Sequence, residues 1–347
     1  MSQETPAGHD DDPRAAFYAA PQWAGMKSGF AGENFSYKTY FAQSDILAAL
    51  QLMPDEIRWL TTVPAEPEQC DLVLFLGCNA LKTPHLILSI SDILCAMGLN
   101  FATIGGPANC CGIVHHLGEK FDVADAVAGA AMAKVARFQP DNVVSICPNC
   151  NYHYDNVVAQ TDELPFQMEQ IYEFLHARLA DLPSVAPIAK RVGLHRHAGT
   201  SHHQDRHGDM CANILRAIPG IELVELPVFE ELGAYCAAKS MTLATAERYE
   251  EIMDDLFSFA ARECDVMATM YHSCQRELSG RFHRAPDLDV KNVCTILAEA
   301  MGFHHEDRFA RYRRIGDIDR IMEDAAPYIA AHNLNPAAAR QALTAVI

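Results

Sequence analysis

The chain is short of positive charge: 27 lysines and arginines face 45 aspartates and glutamates in 347 residues, a formal net charge of −18. Phosphate backbones are held by clustered Lys and Arg, so this balance argues against nucleic acid as a partner. No apolar run approaches the length that crosses a bilayer, so direct membrane insertion is not expected and any membrane contact would go through a partner. No Gly-x-Gly-x-x-Gly follows an apolar run and no Walker-type loop occurs, which leaves no dinucleotide or ATP signature. Met1 to Pro13 is acidic and polar without an apolar core, unlike a signal peptide or a twin-arginine leader. The expectation is a cytoplasmic protein, where thiols stay reduced. Half of the residues are hydrophobic, enough for one large or two moderate cores.

Five of the 12 cysteines are spaced as one set. Cys78 closes the apolar run Leu72–Gly77. A helical stretch then leads to Cys110-Cys111-Gly112, and a second one to the β-like run Val143–Ile146 and Cys147-Pro148-Asn149-Cys150. Each group follows an expected strand or the loop after one. In open α/β sheets the carboxyl ends of strands line the ligand crevice, so the three groups are expected to converge. Five thiolates at one place call for a soft metal, foremost iron with sulfide. A CxxC alone also suits zinc or a redox dithiol. Zinc, however, takes four ligands, often from two such pairs, and a dithiol needs neither the vicinal pair nor Cys78.

The pattern Cys-x31-Cys-Cys-Gly-x34-Cys-x2-Cys resembles the CCG domain of heterodisulfide reductase and its relatives. Those relatives include components of glycolate, lactate and glycerol-3-phosphate oxidising complexes and of an unusual succinate–quinone reductase. The resemblance runs from about Asp71 to Gly302. It implies one non-cubane 4Fe-4S cluster per chain, held by Cys78, Cys110, Cys111, Cys147 and Cys150. It also implies an oxidoreductase subunit whose partners are a ferredoxin-like iron–sulfur subunit or a flavin-containing one. The implied chemistry is thiol/disulfide redox or sulfur transfer, with a thiol or lipoyl-like carrier as substrate. The alternative is an electron-relay subunit of a flavin dehydrogenase complex, with no substrate of its own.

The chain reads as a repeat. Asp92–Leu99 before a strand at Phe101–Ile104 parallels Asn213–Gly220 before a strand at Ile221–Leu226, and Asp141–Cys150 matches Asp265–Cys274 without a gap. Helices alternating with strands predict an α/β fold: two units related by a pseudo-twofold axis, with mostly parallel sheets and terminal helical extensions. The expected division is 1–69, an N-terminal tail and helices; 70–187, the cluster-binding unit; 188–302, the second unit; and 303–347, C-terminal helices. Pro183 to Pro187 links the units.

The second unit's motif is degenerate. Ala198 stands near the position of Cys78, Tyr235-Cys236-Ala237 replaces the vicinal pair and glycine, and Tyr271-His272-Ser273-Cys274 replaces the CxxC. Histidines crowd there: His195, His197, His202, His203, His207 and His272. They read either as a polar pocket or as a replacement metal site using Cys236, Cys274 and two histidines, the latter lacking a clean ligand pattern. His195, His197 and His272 are candidate proton donors beside the cluster.

Outside the motifs, Cys70, Cys95, Cys211, Cys264 and Cys294 read as small buried hydrophobes. His115-His116 falls close enough to the vicinal pair to tune it. The aromatic segment Phe17–Phe41 lies across the main domain or a partner. Ser44 is the expected N-cap of a helix through Ile46, Leu47 and Leu50, and Pro54 starts the next. Arg308–Arg314, the one basic cluster, is either a solvated helix face or a dock for an acidic partner. Two short amphipathic helices follow, within Asp317–His332 and Pro336–Val346.

Overall fold

The computed structural model describes residues 27, 29–30, 35–159, 164–197, 202–235 and 242–347. The acidic N-terminal tail, Tyr18, Trp23, Ala198 and Cys236 lie outside the described residues, as do the side chains of His202 and His203.

Two four-stranded parallel sheets form the frame. The first holds β1 (Leu72–Gly77), β2 (Phe101–Gly105), β3 (Asn142–Ser145) and β4 (Met168–Gln170) in the order β2-β1-β3-β4. The second holds β5 (Lys190–His195), β6 (Ile221–Glu225), β7 (Val266–Thr269) and β8 (Asp289–Asn292) in the matching order β6-β5-β7-β8. Every neighbouring pair is parallel. Such sheets need helices on both faces, which is why all six residues of β1 are buried and apolar or glycine. The expected α/β class holds.

Helices α1 (Tyr37–Ala49) and α2 (Pro54–Thr61) precede the first sheet. Within it come α3 (Pro84–Ala96), α4 (Ile113–Leu117), α5 (Phe121–Ala136), α6 (Pro148–His153) and α7 (Ile171–Ala177). The second sheet carries α8 (His202–Arg216), α9 (Ala246–Glu263), α10 (His272–Ser279) and α11 (Val293–Ala300). Four short helices close the chain: α12 (Arg308–Ile315), α13 (Ile318–Asp324), α14 (Ala326–Ala331) and α15 (Pro336–Thr344). No helix among the described residues is long and apolar enough to cross a membrane.

The two sheets share one core. The first helix of the first unit, α3, packs on the last helix of the second, α11, while the first helix of the second unit, α8, packs on α7. That reciprocal exchange is what a pseudo-twofold pairing requires. Tyr172 at the head of α7 donates its hydroxyl to Asn292 Oδ1 (3.2 Å), tying the ends of β4 and β8 together. Asn292 in turn caps α11 by accepting from the Cys294 N–H.

Two local expectations are corrected. The first described helix begins at Tyr37 with Ser36 as its N-cap, eight residues before Ser44. Ser44 sits buried in mid-helix, its hydroxyl donating back to the Tyr40 carbonyl at 3.2 Å, a bond that makes serine compatible with a helix interior. Cys95 is exposed in the last turn of α3, whereas Cys70, Cys211, Cys264 and Cys294 are buried as expected. The chain ends share a small separate core in which Leu47 and Leu50 of α1 meet Phe309, Tyr312, Ile321 and Leu343. Tyr312 donates its hydroxyl to the Leu50 carbonyl (2.6 Å) within it. The basic stretch of α12 is internally engaged: Arg308 and Arg311 pair with Glu306, and Arg311 also with Asp324. Arg314 lies 3.6 Å from Asp289, and Arg313 donates to backbone carbonyls of Val346 and Arg276.

Candidate metal centre

In the first sheet the chain leaves β1 toward β2 on one side, while β3 lies on the other. This is the switch point at which open α/β sheets place ligands. Cys78 follows β1 and Cys147 follows β3, so both reach the crevice, and the loop after β2 brings Cys110 and Cys111 to it. Each group has a local device that fixes it. Gly77 takes a left-handed φ of +60°, and a Cβ there would lie 2.6 Å from Cys150 Sγ. Gly112 takes φ +91°, where a Cβ would meet the Ala124 carbonyl at 2.6 Å. The glycine after the vicinal pair is therefore both a conformational and a steric need. Ser145 Oγ accepts from the Cys147 N–H (3.1 Å), shaping the turn into α6.

The five sulfurs form an unbroken run. Cys78 touches Cys110 at 3.5 Å, and Cys110 also accepts from the Gly112 N–H at 3.4 Å. Hydrogen bonds link Cys110 to Cys111, Cys111 to Cys150 and Cys150 to Cys147, and His272 bonds Cys147 at the end of the run. All five are buried. Their ionisation is uneven. Hydrogen bonds from Cys111 and Cys78 hold Cys110 well below the usual thiol range, and the bond from Cys150, with that from His272, does the same for Cys147. Cys78 and Cys111 are pushed well above it, first by hydrogen bonding to Cys110 and then by burial, and Cys150 first by its bond to Cys111, then by that to Cys147 and by burial.

Protein alone thus stabilises two thiolates of the five. Ionising the remainder in one dry pocket requires cationic charge among them. Among the described residues no three of His, Cys, Asp or Glu are gathered to chelate a single ion. The sulfurs are strung out in pairs instead, and a polynuclear cluster takes its ligands at separate metal atoms. The donor set, its burial and its spread fit an iron–sulfur cluster. His272 Nδ1, buried beside the thiols without a partner among the described residues, is a further group that a cluster sulfur would satisfy.

Groups that sequence reasoning passed over surround the thiols. The Tyr40 hydroxyl is pushed well above the usual phenol range by burial and then by the charge of Cys78, with smaller effects from Cys110 and Cys147. Lys82 places its ammonium 5.0 Å from the centre of the Tyr40 ring. Arg276, one turn into α10, donates to Asn79 Oδ1 at 3.2 Å, next to Cys78. Of the foreseen pair, His115 stacks on Tyr37 with ring centres 4.5 Å apart, which places the described end of the aromatic segment on the main domain. His116 is buried and meets His153 at 2.7 Å. The position of His153, three residues after Cys150, was the only signal for that pair; Lys82 and Arg276 had none.

The three candidate histidines are not alike. His272 contacts the thiol run. His197 Nε2 lies 2.9 Å from Cys274 Sγ in the second unit. His195 is buried 6.3 Å from the His197 ring, its pKa lowered by burial to about 4, so near neutral pH it holds no imidazolium proton to give. Tyr271 occupies the place that Cys147 has in the first unit, and its hydroxyl meets His207 Nδ1 at 3.0 Å.

Fold and site together define a cysteine-rich α/β protein whose thiols gather at a sheet switch point. Residues 72–155 match the family model of the CCG cysteine-rich domain, so the chain carries a CCG domain over those residues. The match spans β1 to α6 and all five thiols, and stops short of β4 and the whole second sheet. No curated protein matches the chain. A domain of this kind suggests an iron–sulfur redox role.

Proposed function

We propose that the chain is the iron–sulfur subunit of a redox complex resembling heterodisulfide reductase, with one non-cubane 4Fe-4S cluster held by Cys78, Cys110, Cys111, Cys147 and Cys150. The observation that carries this reading is the run of five buried sulfurs at the switch point, ending on His272. A cluster bound there would supply one-electron steps and an iron that accepts a substrate sulfur. The chain's own residues exclude water and orient the sulfurs. The Gly112 N–H and the His272 ring donate to the two most anionic of them. Of the three histidines, His272 is the one whose ring hydrogen-bonds a thiol of the run, while His195 and His197 lie in the second unit. The substrate is a thiol, a disulfide or a lipoyl-bearing carrier. Electrons pass to or from a ferredoxin-like iron–sulfur subunit or a flavin-containing subunit, in the cytoplasm.

One observation favours a second reading. Tyr271 stands where the second unit would carry its counterpart of Cys147, so that unit lacks the thiolates of a second cluster. A single cluster suits an electron relay in a flavin dehydrogenase complex. Anaerobically purified protein, oxidised and titrated with lipoamide, dithiothreitol or glutathione disulfide, separates the two. A changed electron paramagnetic resonance spectrum, weakened by His272→Ala at constant iron content, supports thiol chemistry. No change with any of the three supports the relay.

A further inference from the structure

Lys82 ends a short 3-10 turn (Ala80–Lys82) directly after the Cys78 loop and is only 7% exposed. A buried ammonium is costly unless an anion or hydrogen-bond acceptor meets it. Among the described residues its Nζ has neither, only the face of Tyr40 at 5.0 Å. It opens instead on a cavity of about 400 Å³ between the thiol-bearing unit and the C-terminal helices. Arg276 and Arg313 line the same cavity, as does Ile347, and Glu277 is its one acidic side chain. Glu277 is already engaged by Arg276, 2.9 Å away, so positive charge is in excess. The opposite wall is apolar, with Leu47, Phe309 and Val346. Burial, with Arg276 second, lowers the Lys82 pKa to about 7, against smaller raising effects of Cys78 and Glu277.

We propose that this cavity is a binding site for a small monocarboxylate with an apolar body, its carboxylate held by Lys82 and Arg276 and its chain against Leu47 and Phe309. Cys78 is not part of the cavity wall, although its charge acts on Lys82. The guanidinium of Arg276 already donates to Glu277 and Asn79, so the carboxylate takes its main contact from the point charge of Lys82 and is a further acceptor for Arg276. The site goes beyond the redox reading and does not rest on it, because binding is read as heat whichever metal the thiols hold.

The test is anaerobic titration calorimetry of the full chain as purified, with hexanoate, its neutral isostere hexanamide, and inorganic phosphate as probes. Hexanoate is expected to bind at least ten-fold more tightly than either of the others. Lys82→Met and Arg276→Gln are each expected to weaken hexanoate at least ten-fold, while Arg314→Gln, on the same helix as Arg313 but directed to Asp289, leaves it unchanged. Lys82→Met removes an unpaired buried charge, so this variant folds, and Arg276→Gln gives an independent reading. Equal binding of hexanamide, tighter binding of phosphate, no heat from hexanoate up to roughly 10 mM, or full binding by both variants would overturn the proposal. The last outcome would reduce Lys82 to a counter-charge for the thiols.

Discussion

His272 crosses from the second sheet to hydrogen-bond the sulfur of Cys147 in the first. The gapless match of Asp141–Cys150 to Asp265–Cys274 puts His272 at the place of Pro148. The unit that lacks the cysteine set therefore completes the one that has it. Arg276, one turn further along α10, reinforces the joint through Asn79. Pairing of the two sheets is thus part of how the thiol site is built.

Serine at Cys78, Cys110, Cys111, Cys147 or Cys150 should each lower bound iron or change the cluster type, since each removes one link of a continuous sulfur run. Wild-type protein prepared without oxygen should hold roughly four iron and four labile sulfide per chain. Cys274→Ser should leave both near wild type. Stoichiometric zinc without sulfide would end the iron–sulfur reading, and loss of iron on changing Cys274 would move a metal into the second unit.

Replacing His272 by Ala removes a donor to Cys147 without removing a ligand. A hydrogen bond worth about 1 kcal/mol to the more electron-rich state corresponds to roughly 40 mV for a one-electron couple. Redox titration of the variant should show a midpoint lower by that order with iron retained. An unchanged midpoint would mean that the bond plays no part in tuning the sulfur.

Gly77→Ala and Gly98→Ala form an informative pair. Both glycines have left-handed φ, +60° and +76°, so alanine at either should cost about 1 kcal/mol and a melting shift of roughly 2 °C. A Cβ at Gly98 meets open space, whereas one at Gly77 lies 2.6 Å from Cys150 Sγ. Only the Gly77 variant should therefore lose iron, and equal iron content in the two would refute the crowding argument.

The buried His195 gives stability a pH dependence. Its folded pKa is lowered from 6.5 to about 4, so between those values the unfolded chain binds the extra proton. Stability is then lost as pH falls from 6.5 toward 4, by up to about 3 kcal/mol. Anaerobic melting curves of His195→Gln should fall less steeply across this window than those of wild type. Parallel curves would show that His195 is not the group responsible.

The sheets and cysteine loops were legible because strand runs, their spacing and Cys-Pro-x-Cys are local signals that parallel α/β geometry turns into one place. The early helix start was not, because Ser36 lies within an aromatic segment that shows no helical period, and Tyr37 and Tyr40 pack on His115 and Lys82 instead. Lys82 and Arg276 were illegible for a different reason. They are 194 residues apart and meet only because α10 crosses to the first unit. Histidine content alone also failed to distinguish His272 from His195, since burial and partner decide what each ring does.

The small core joining α1 to the closing helices has a consequence for biosynthesis. Tyr40, on α1, lies against the thiols, yet Leu47 of the same helix and Leu50 just beyond it dock on Phe309, Tyr312 and Leu343, which are synthesised long after the cysteines. Until they are made, α1 rests on the first unit only through Tyr37, on His115, and Tyr40, on Lys82. The helix beside the sulfurs is therefore held at both ends only once the closing helices exist, and metal delivered earlier in synthesis meets a looser cover.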